Sequence, residues 1–176
     1  MAKALSSAYL PISALMVNEK VWQAMVEASD RIGVFGHGYT YSGHPVAAAV
    51  ALEAQKIYEE IDLVSMVRKV MGRFQDGLKG LLDHDIVGEV RGVGMVAGVE
   101  LVRDRDGRKP FATPGKVGKY CLMRAQEHGL IVRNIVDTMS VCPPLIISDA
   151  EIDSLVERLG TAIKETADWA TREKVE

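Results

Sequence analysis

The sequence predicts an α+β fold in which helices cover one face of a small, mostly antiparallel sheet. The prediction rests first on the order of elements after about residue 70, which is helix, strands, helix, hairpin and helix. It rests also on an imbalance, because residues 1–45 contain one apolar run, one short helix and a long loop, too little to bury a core. We therefore expect residues 70–176 to form a small C-terminal domain, residues 46–69 a connecting helical region, and residues 1–45 the remnant of a larger domain.

In the first part of the chain, the apolar run PISALMV (11–17) predicts a buried strand. Asn18 then predicts the cap of a short helix. The apolar residues of this helix that we expect to face inward are Val21, Trp22 and Met25. The following stretch, RIGVFGHGYTYSGHP, combines glycines, hydroxyls and aromatic rings without any sustained period, which indicates a loop. Loops of this kind gather functional residues when a rigid scaffold positions them.

Two helices are predicted next. Pro45 suits the first turn of an alanine-rich helix that continues to Glu60. A second helix is expected from about Asp62 to Leu82, and its apolar residues recur at helical spacing: Leu63, Val67, Val70, Met71, Phe74, Leu78 and Leu81. The glycine-rich apolar block 88–102 then predicts two strands or one bent strand.

The last third of the chain predicts helix, hairpin and helix. Thr113 and Pro114 begin a helix that ends at Gly129. The segment LIVRNIVDTMSVCPP predicts a hairpin that turns near residues 136–138. Ser148 and Glu151 have the spacing of a capping box before the final helix. The apolar stripe of that helix is Ile152, Leu155, Val156, Leu159 and Ile163.

Composition and charge exclude several classes of function. The formal net charge is -3 and there is no run of Lys or Arg, so no nucleic-acid partner is expected. The only two cysteines, Cys121 and Cys142, are far apart and lack CxxC spacing, which predicts neither a disulfide scaffold nor a metal site. Their number favours a reducing, cytoplasmic setting. No run of eighteen apolar residues occurs, so we expect no membrane-spanning segment.

Three motifs resemble segments of the class III (omega) aminotransferases, enzymes of the fold-type I family that depend on pyridoxal 5'-phosphate. HGYTYSGHPVAAAVALEA (37–54) resembles the family's loop and alanine-rich helix. The opening AKALSSAYLPISALMV resembles the segment around the cofactor lysine, and GLIVRNIVDTMSVCPPLIIS (129–148) resembles the region of the substrate arginine. The motifs occur in the family's order and cover almost the whole chain. The resemblance implies the C-terminal part of an α/β enzyme whose large, cofactor-binding domain includes residues 1–45.

The resemblance also implies roles for four residues. Lys3 corresponds to the catalytic lysine, since an amine condenses with the cofactor aldehyde and can shuttle a proton. Thr40 corresponds to the hydroxyl that contacts the cofactor phosphate across the interface of a dimer, and Tyr39 to an aromatic residue that lines the active site. Arg133 corresponds to the family's mobile arginine, whose planar guanidinium suits a substrate carboxylate. The alternatives are that Lys3 is a solvated surface amine, which a lone lysine near an N-terminus favours, that Thr40 caps a turn and that Arg133 is a surface arginine on a hairpin.

The implied activity is transamination between an amine or omega-amino acid and an α-keto acid such as pyruvate, in a homodimer or higher oligomer. In the family, the glycine-rich phosphate turn, the ring-stacking aromatic residue and the acid at the pyridine nitrogen all precede the lysine. We therefore expect a truncated enzyme that is inactive alone and whose binding of pyridoxal phosphate is doubtful. The alternative is a non-catalytic module, derived from an aminotransferase, that self-associates or pairs with another chain.

Overall fold

The computed structural model describes residues 1–107 and 109–175, and the chain divides into two compact units, Met1–Asp62 and Leu63–Glu176. The division into residues 1–45, 46–69 and 70–176 stays a prediction. No helix within the described residues combines the length and apolar character that crossing a bilayer requires.

The unit Met1–Asp62 contains a 3₁₀ turn at Lys3–Leu5, helix α1 (Glu19–Ile32) and helix α2 (Pro45–Glu60). Both helix starts follow from local chemistry, as predicted. The Asn18 side chain accepts a hydrogen bond from the Val21 amide, and Pro45 is the first residue of α2. One face of α2 is buried through three small residues, Ala47, Ala51 and Ala54.

Two predictions for this unit are wrong. Residues 11–17 form no strand, because no other segment of the described residues offers them a ladder of hydrogen bonds. The predicted inward face of α1 is also largely exposed, with 45% of Val21 and 50% of Trp22 accessible to solvent. An amphipathic pattern shows which face of a helix is apolar, but burial needs a partner that packs on it.

The unit Leu63–Glu176 confirms the predicted α+β fold. Its four strands pair in the order β1-β2-β4-β3, and every pair is antiparallel. In chain order the elements are α3 (Leu63–Lys79), β1 (Val87–Val93), β2 (Val96–Leu101), α4 (Lys116–Glu127), β3 (Arg133–Ile135), β4 (Thr138–Val141) and α5 (Asp149–Arg172). Ser148 and Glu151 form the predicted capping box at the start of α5.

The core of this unit lies between one face of the sheet and the three helices. In β2 the buried residues alternate as a half-buried strand requires: Ala97, Val99 and Leu101. The helices bury the predicted apolar positions Phe74, Leu78, Ile152, Leu155, Leu159 and Ile163 against it. Cys121 also lies in this core, where burial raises the pKa of its thiol to about 11 and leaves it unreactive at neutral pH.

A charged cluster links α4 to α5 at the edge of the core. The guanidinium of Arg124 donates to Glu165 at 2.7 Å, and Nε2 of His128 lies 3.0 Å from the same carboxylate. The hydrogen bond from Arg124, followed by that from His128, lowers the pKa of Glu165 from 4.5 to about 2. A carboxylate with a lowered pKa stabilises the fold above about pH 4.5, and this contribution is lost as the pH falls through about 2.

We therefore expect Glu165→Gln to lower the Tm by a few degrees at pH 7, since the neutral amide removes the charged link between α4 and α5 and leaves Arg124 only its ion pair with Glu127 on its own helix. The difference from the wild type should shrink as the pH falls towards 2, because acid neutralises the wild-type carboxylate as well. Thermal unfolding followed by circular dichroism at several pH values measures this. Glu157→Gln, an exposed glutamate of the same helix, is the control. A Tm difference that stays constant from pH 7 to pH 2 would contradict the assignment.

Candidate active site

Lys3 lies in a short turn whose backbone is held by α2. The hydroxyl of Tyr58 donates to the Ala4 carbonyl at 2.9 Å, and the side-chain Nε2 of Gln55 donates to the Leu5 carbonyl at 3.2 Å. Lys3 itself has a left-handed backbone, with φ of 52°. Its side chain is exposed and has no hydrogen bond or ion pair within the described residues. The turn therefore presents a free amine on a fixed backbone, which suits condensation with an aldehyde.

A hydrogen bond from one of its own side chains holds the segment after Lys3 in place. Ser6 is almost fully buried, and its hydroxyl donates to the Leu10 carbonyl at 2.6 Å. Ser7 and Ala8, which follow it, have φ values of 50° and 64°. Left-handed conformations cost free energy in residues other than glycine, so surrounding contacts must hold them. The sequence gives only a weak signal of this arrangement, namely two small hydroxyl residues before a tyrosine.

The loop before α2 is a tight hydrogen-bonded turn around Thr40. The Ser42 hydroxyl accepts from the Tyr39 amide at 3.2 Å, and the Ser42 amide donates to the Tyr39 carbonyl at 3.0 Å. His44 caps α2, since its Nδ1 accepts from the Ala47 amide. Thr40 is exposed, and neither its hydroxyl nor its amide has a partner within the described residues. Both donors are therefore available to an anion such as a phosphate.

Aromatic side chains run along the same loop. The ring centroids of Phe35 and His37 are 5.8 Å apart, and those of His37 and Tyr39 are 4.9 Å apart, both edge-to-face. Tyr39 nevertheless exposes 74% of its surface. The last of these rings, that of Tyr39, is therefore open to solvent next to Thr40 in the chain. His37 and His44 therefore contribute to the loop through ring packing and capping.

Arg133 is the first residue of β3 and pairs with Ser140 of β4. Its side chain is exposed, and within the described residues no carboxylate pairs with its guanidinium. Two other arginines of this unit are already paired, Arg91 with Glu89 and Glu100 and Arg73 with Asp153. The free guanidinium of Arg133 is thus suited to an external carboxylate, whereas Arg91 has a structural role.

The four predicted site residues fall in different places. Lys3, Tyr39 and Thr40 lie in Met1–Asp62, and Arg133 lies in Leu63–Glu176. Among the described residues, no hydrogen bond, ion pair or ring contact joins any two of these four. The described residues also contain no group of three His, Cys, Asp or Glu side chains placed to hold a metal ion.

Sequence reasoning missed one polar residue in the hairpin that carries Arg133. Asp137 is 8% exposed and accepts two backbone hydrogen bonds, from Gly115 at 2.8 Å and from Gly118 at 2.7 Å. It lies in the turn between β3 and β4 and ties that turn to the start of α4. The one available signal was an aspartate inside an otherwise apolar hairpin sequence.

Comparison with known proteins identifies the family. The family model for aminotransferase class III matches residues 1–163. The chain belongs to the class III aminotransferases. This is a family of pyridoxal-phosphate-dependent enzymes, and the resemblance found in the sequence is confirmed.

Class III relatives match along nearly the whole chain. A chloroplastic gamma aminobutyrate transaminase 3 of Solanum lycopersicum is 42% identical over 165 residues, which is 94% of this chain and 32% of that protein. A vanillin aminotransferase of Capsicum annuum is 42% identical over 94% of this chain and 36% of its own length. The chain thus spans about a third of the length of the curated relatives it matches.

Solved class III structures share the fold. A thermostable omega transaminase variant engineered for the synthesis of bulky amines matches with a TM-score of 0.92 and 44% identity, over 96% of this chain and 37% of its own. The omega transaminase of Pseudomonas jessenii, solved in complex with PMP, matches with a TM-score of 0.89 and 45% identity, over 94% and 36% of the two chains. The α+β architecture is therefore that of a part of a class III aminotransferase.

Proposed function

We propose that this chain provides the lysine and the substrate arginine of a pyridoxal-phosphate-dependent aminotransferase. The reaction would move an amino group between an amine or omega-amino acid and an α-keto acid such as pyruvate. The observation that carries the proposal is the free amine of Lys3, held on a turn fixed by Tyr58 and Gln55, in a chain of the class III family. Because the chain spans about a third of its relatives, we expect it not to turn over substrate alone.

The residues present fit the cofactor. Lys3 would bind the cofactor through the cofactor's aldehyde. The hydroxyl and backbone amide of Thr40 would bind the cofactor's phosphate, and in a homodimer this threonine would belong to the partner subunit. When bound, the cofactor supplies the electron sink for the reaction. A glycine-rich turn with unpartnered donors is a favourable phosphate ligand, since those donors need no rearrangement before they bind.

The chain's own side chains would carry the remaining tasks. The amine of Lys3, once free, can accept a proton at Nζ and return it to a neighbouring carbon. Arg133 would hold a substrate carboxylate through two parallel hydrogen bonds. Tyr39 would line the site with its exposed ring and exclude water from it.

A labelling experiment tests the cofactor assignment. The chain is incubated with pyridoxal phosphate, reduced with borohydride and mapped by mass spectrometry. We expect the label on Lys3, its loss in Lys3→Ala, and a weaker yield at equal cofactor concentration in Thr40→Ala. Lys20→Ala, which removes an exposed lysine of the same unit, is the control and should keep full labelling. Label spread evenly over exposed lysines, unchanged in Lys3→Ala, would contradict the proposal. Formation of alanine from pyruvate and an amine donor would report turnover, which we do not expect from the chain alone.

A second candidate is a non-catalytic module that self-associates or pairs with another chain. Large apolar side chains left uncovered in Met1–Asp62 favour it, among them Leu15 and Met16, which are 87% and 78% exposed. Sedimentation analysis measures the association, and an oligomer that does not label at Lys3 would favour this candidate. The cytoplasmic location stays a prediction, since the names of the relatives include chloroplastic and mitochondrial transaminases.

A further inference from the structure

Asp137 joins the Arg133 hairpin to the first turn of α4. One carboxylate oxygen accepts from the Gly115 amide at 2.8 Å, and the other accepts from the Gly118 amide at 2.7 Å. Gly115 is the cap residue of α4, so Asp137 satisfies amides that the helix itself leaves unpaired. A negative charge at this end of a helix is also favoured by the helix dipole.

The backbone at this point is closely packed and tightly constrained. A Cβ built on Gly118 would lie 2.2 Å from the Val136 carbonyl oxygen and 2.9 Å from the Asp137 Cα. Val136 has φ of 55°, an unfavourable conformation for a β-branched residue. The Asp137 carbonyl in turn accepts from the Leu101 amide at the end of β2, at 2.9 Å. The turn is therefore bound on one side to the central sheet and on the other to α4.

Arg133 depends on this attachment because β3 is short and is held mainly through its pairing with β4 and its packing against α4, the helix to which Asp137 ties the turn. The strand is three residues long and, within the described residues, pairs with β4 alone. Two of its three residues, Arg133 and Ile135, are exposed. The position of the Arg133 Cα is therefore set by its pairing with Ser140 of β4 together with the turn that joins the two strands.

We infer that Asp137 is a positioning residue that fixes the backbone from which the Arg133 side chain reaches the carboxylate of a substrate. The inference rests on the proposed carboxylate-binding role of Arg133. A bidentate pair tolerates little displacement, because both hydrogen bonds need the guanidinium and the carboxylate in one plane. Asparagine cannot replace the aspartate, since both of its partners are donors and an amide has only one accepting oxygen.

The test compares two ligands that differ in one charge, butyrate and butanamide, on the purified chain. Their dissociation constants are measured from the NMR signal of the Arg133 guanidinium. We expect Asp137→Asn to weaken butyrate about tenfold or more while leaving butanamide unchanged. Arg133→Leu, followed through backbone amides, should remove the preference for butyrate. Asp76→Asn, at an exposed aspartate of the same unit, should change neither. If Asp137→Asn does not fold, as judged by circular dichroism, Asp137→Ser, whose hydroxyl can accept one hydrogen bond without placing an NH2 group against the other amide, should weaken butyrate but not butanamide.

The possible outcomes separate the inference from the proposed function. If Arg133→Leu removes the preference for butyrate but Asp137→Asn binds butyrate as the wild type does, the positioning role is wrong and the proposed function stands. Equal weakening of butyrate and butanamide by Asp137→Asn would show a merely structural role and would also overturn it. If the wild type does not prefer butyrate to butanamide, Arg133 does not bind carboxylates, and the inference falls with that proposal.

Discussion

Phe74→Ala is expected to destabilise the unit Leu63–Glu176 by about 3–5 kcal/mol. Phe74 is fully buried on α3 and belongs to the cluster that the sheet and α5 complete. Removing its ring loses the transfer free energy of a large apolar side chain and leaves a cavity that the strands cannot close. Since single domains have about 5–15 kcal/mol of stability in total, this one change removes a large part of it.

Urea unfolding followed by tryptophan fluorescence measures the effect. Trp169 stacks on Tyr120 at 4.0 Å in this unit, whereas Trp22 lies in Met1–Asp62, so a Trp22→Phe background isolates the relevant signal. Met71→Ala on the same helix is the control, because its side chain is 38% exposed and should cost much less. Equal losses at the two positions would show that the core does not lie where the structure places it.

The helices and the antiparallel hairpin of Leu63–Glu176 could be predicted because their signals are local. The apolar stripes, the capping box at Ser148 and the hairpin near residue 136 each depend on a few neighbouring residues. Residues 11–17 failed for the opposite reason, since a strand exists only if another segment pairs with it. The same limit applies to α1, whose apolar face is exposed in the described structure.

The candidate site likewise has features that the sequence could predict and features that only the fold shows. Lys3, Thr40 and Arg133 could be named because their motifs resemble a family, yet the sequence said nothing of what holds them. Tyr58 reaches back to Ala4 across 54 positions, and Asp137 bonds amides 22 and 19 positions before it. Such contacts leave no periodic trace in the sequence. They became visible only when the fold brought the segments together.

Gly118→Ala is expected to destabilise the same unit by about 1–3 kcal/mol, although alanine is the better helix former. The added methyl carbon would lie 2.2 Å from the Val136 carbonyl oxygen and 2.9 Å from the Asp137 Cα. Both are backbone atoms, which cannot rotate away as the end of a side chain could. Relief requires α4 and the hairpin to separate, which also lengthens the hydrogen bond from the Gly118 amide to Asp137. The steric cost therefore exceeds the gain in helix propensity, which is about 1 kcal/mol.

Gly72→Ala provides the matched control, because a Cβ at Gly72 in α3 meets no atom within 4 Å. It should stabilise the unit by about 0.5–1 kcal/mol, so the two glycine substitutions are predicted to have opposite signs. Urea unfolding in the Trp22→Phe background measures both. Gly118→Ala also keeps the Asp137 carboxylate and changes only its geometry, so weaker butyrate binding in this variant would arise from displacement of the Arg133 hairpin and not from lost charge. Stabilisation by both alanines would show that α4 does not pack on the Val136 turn.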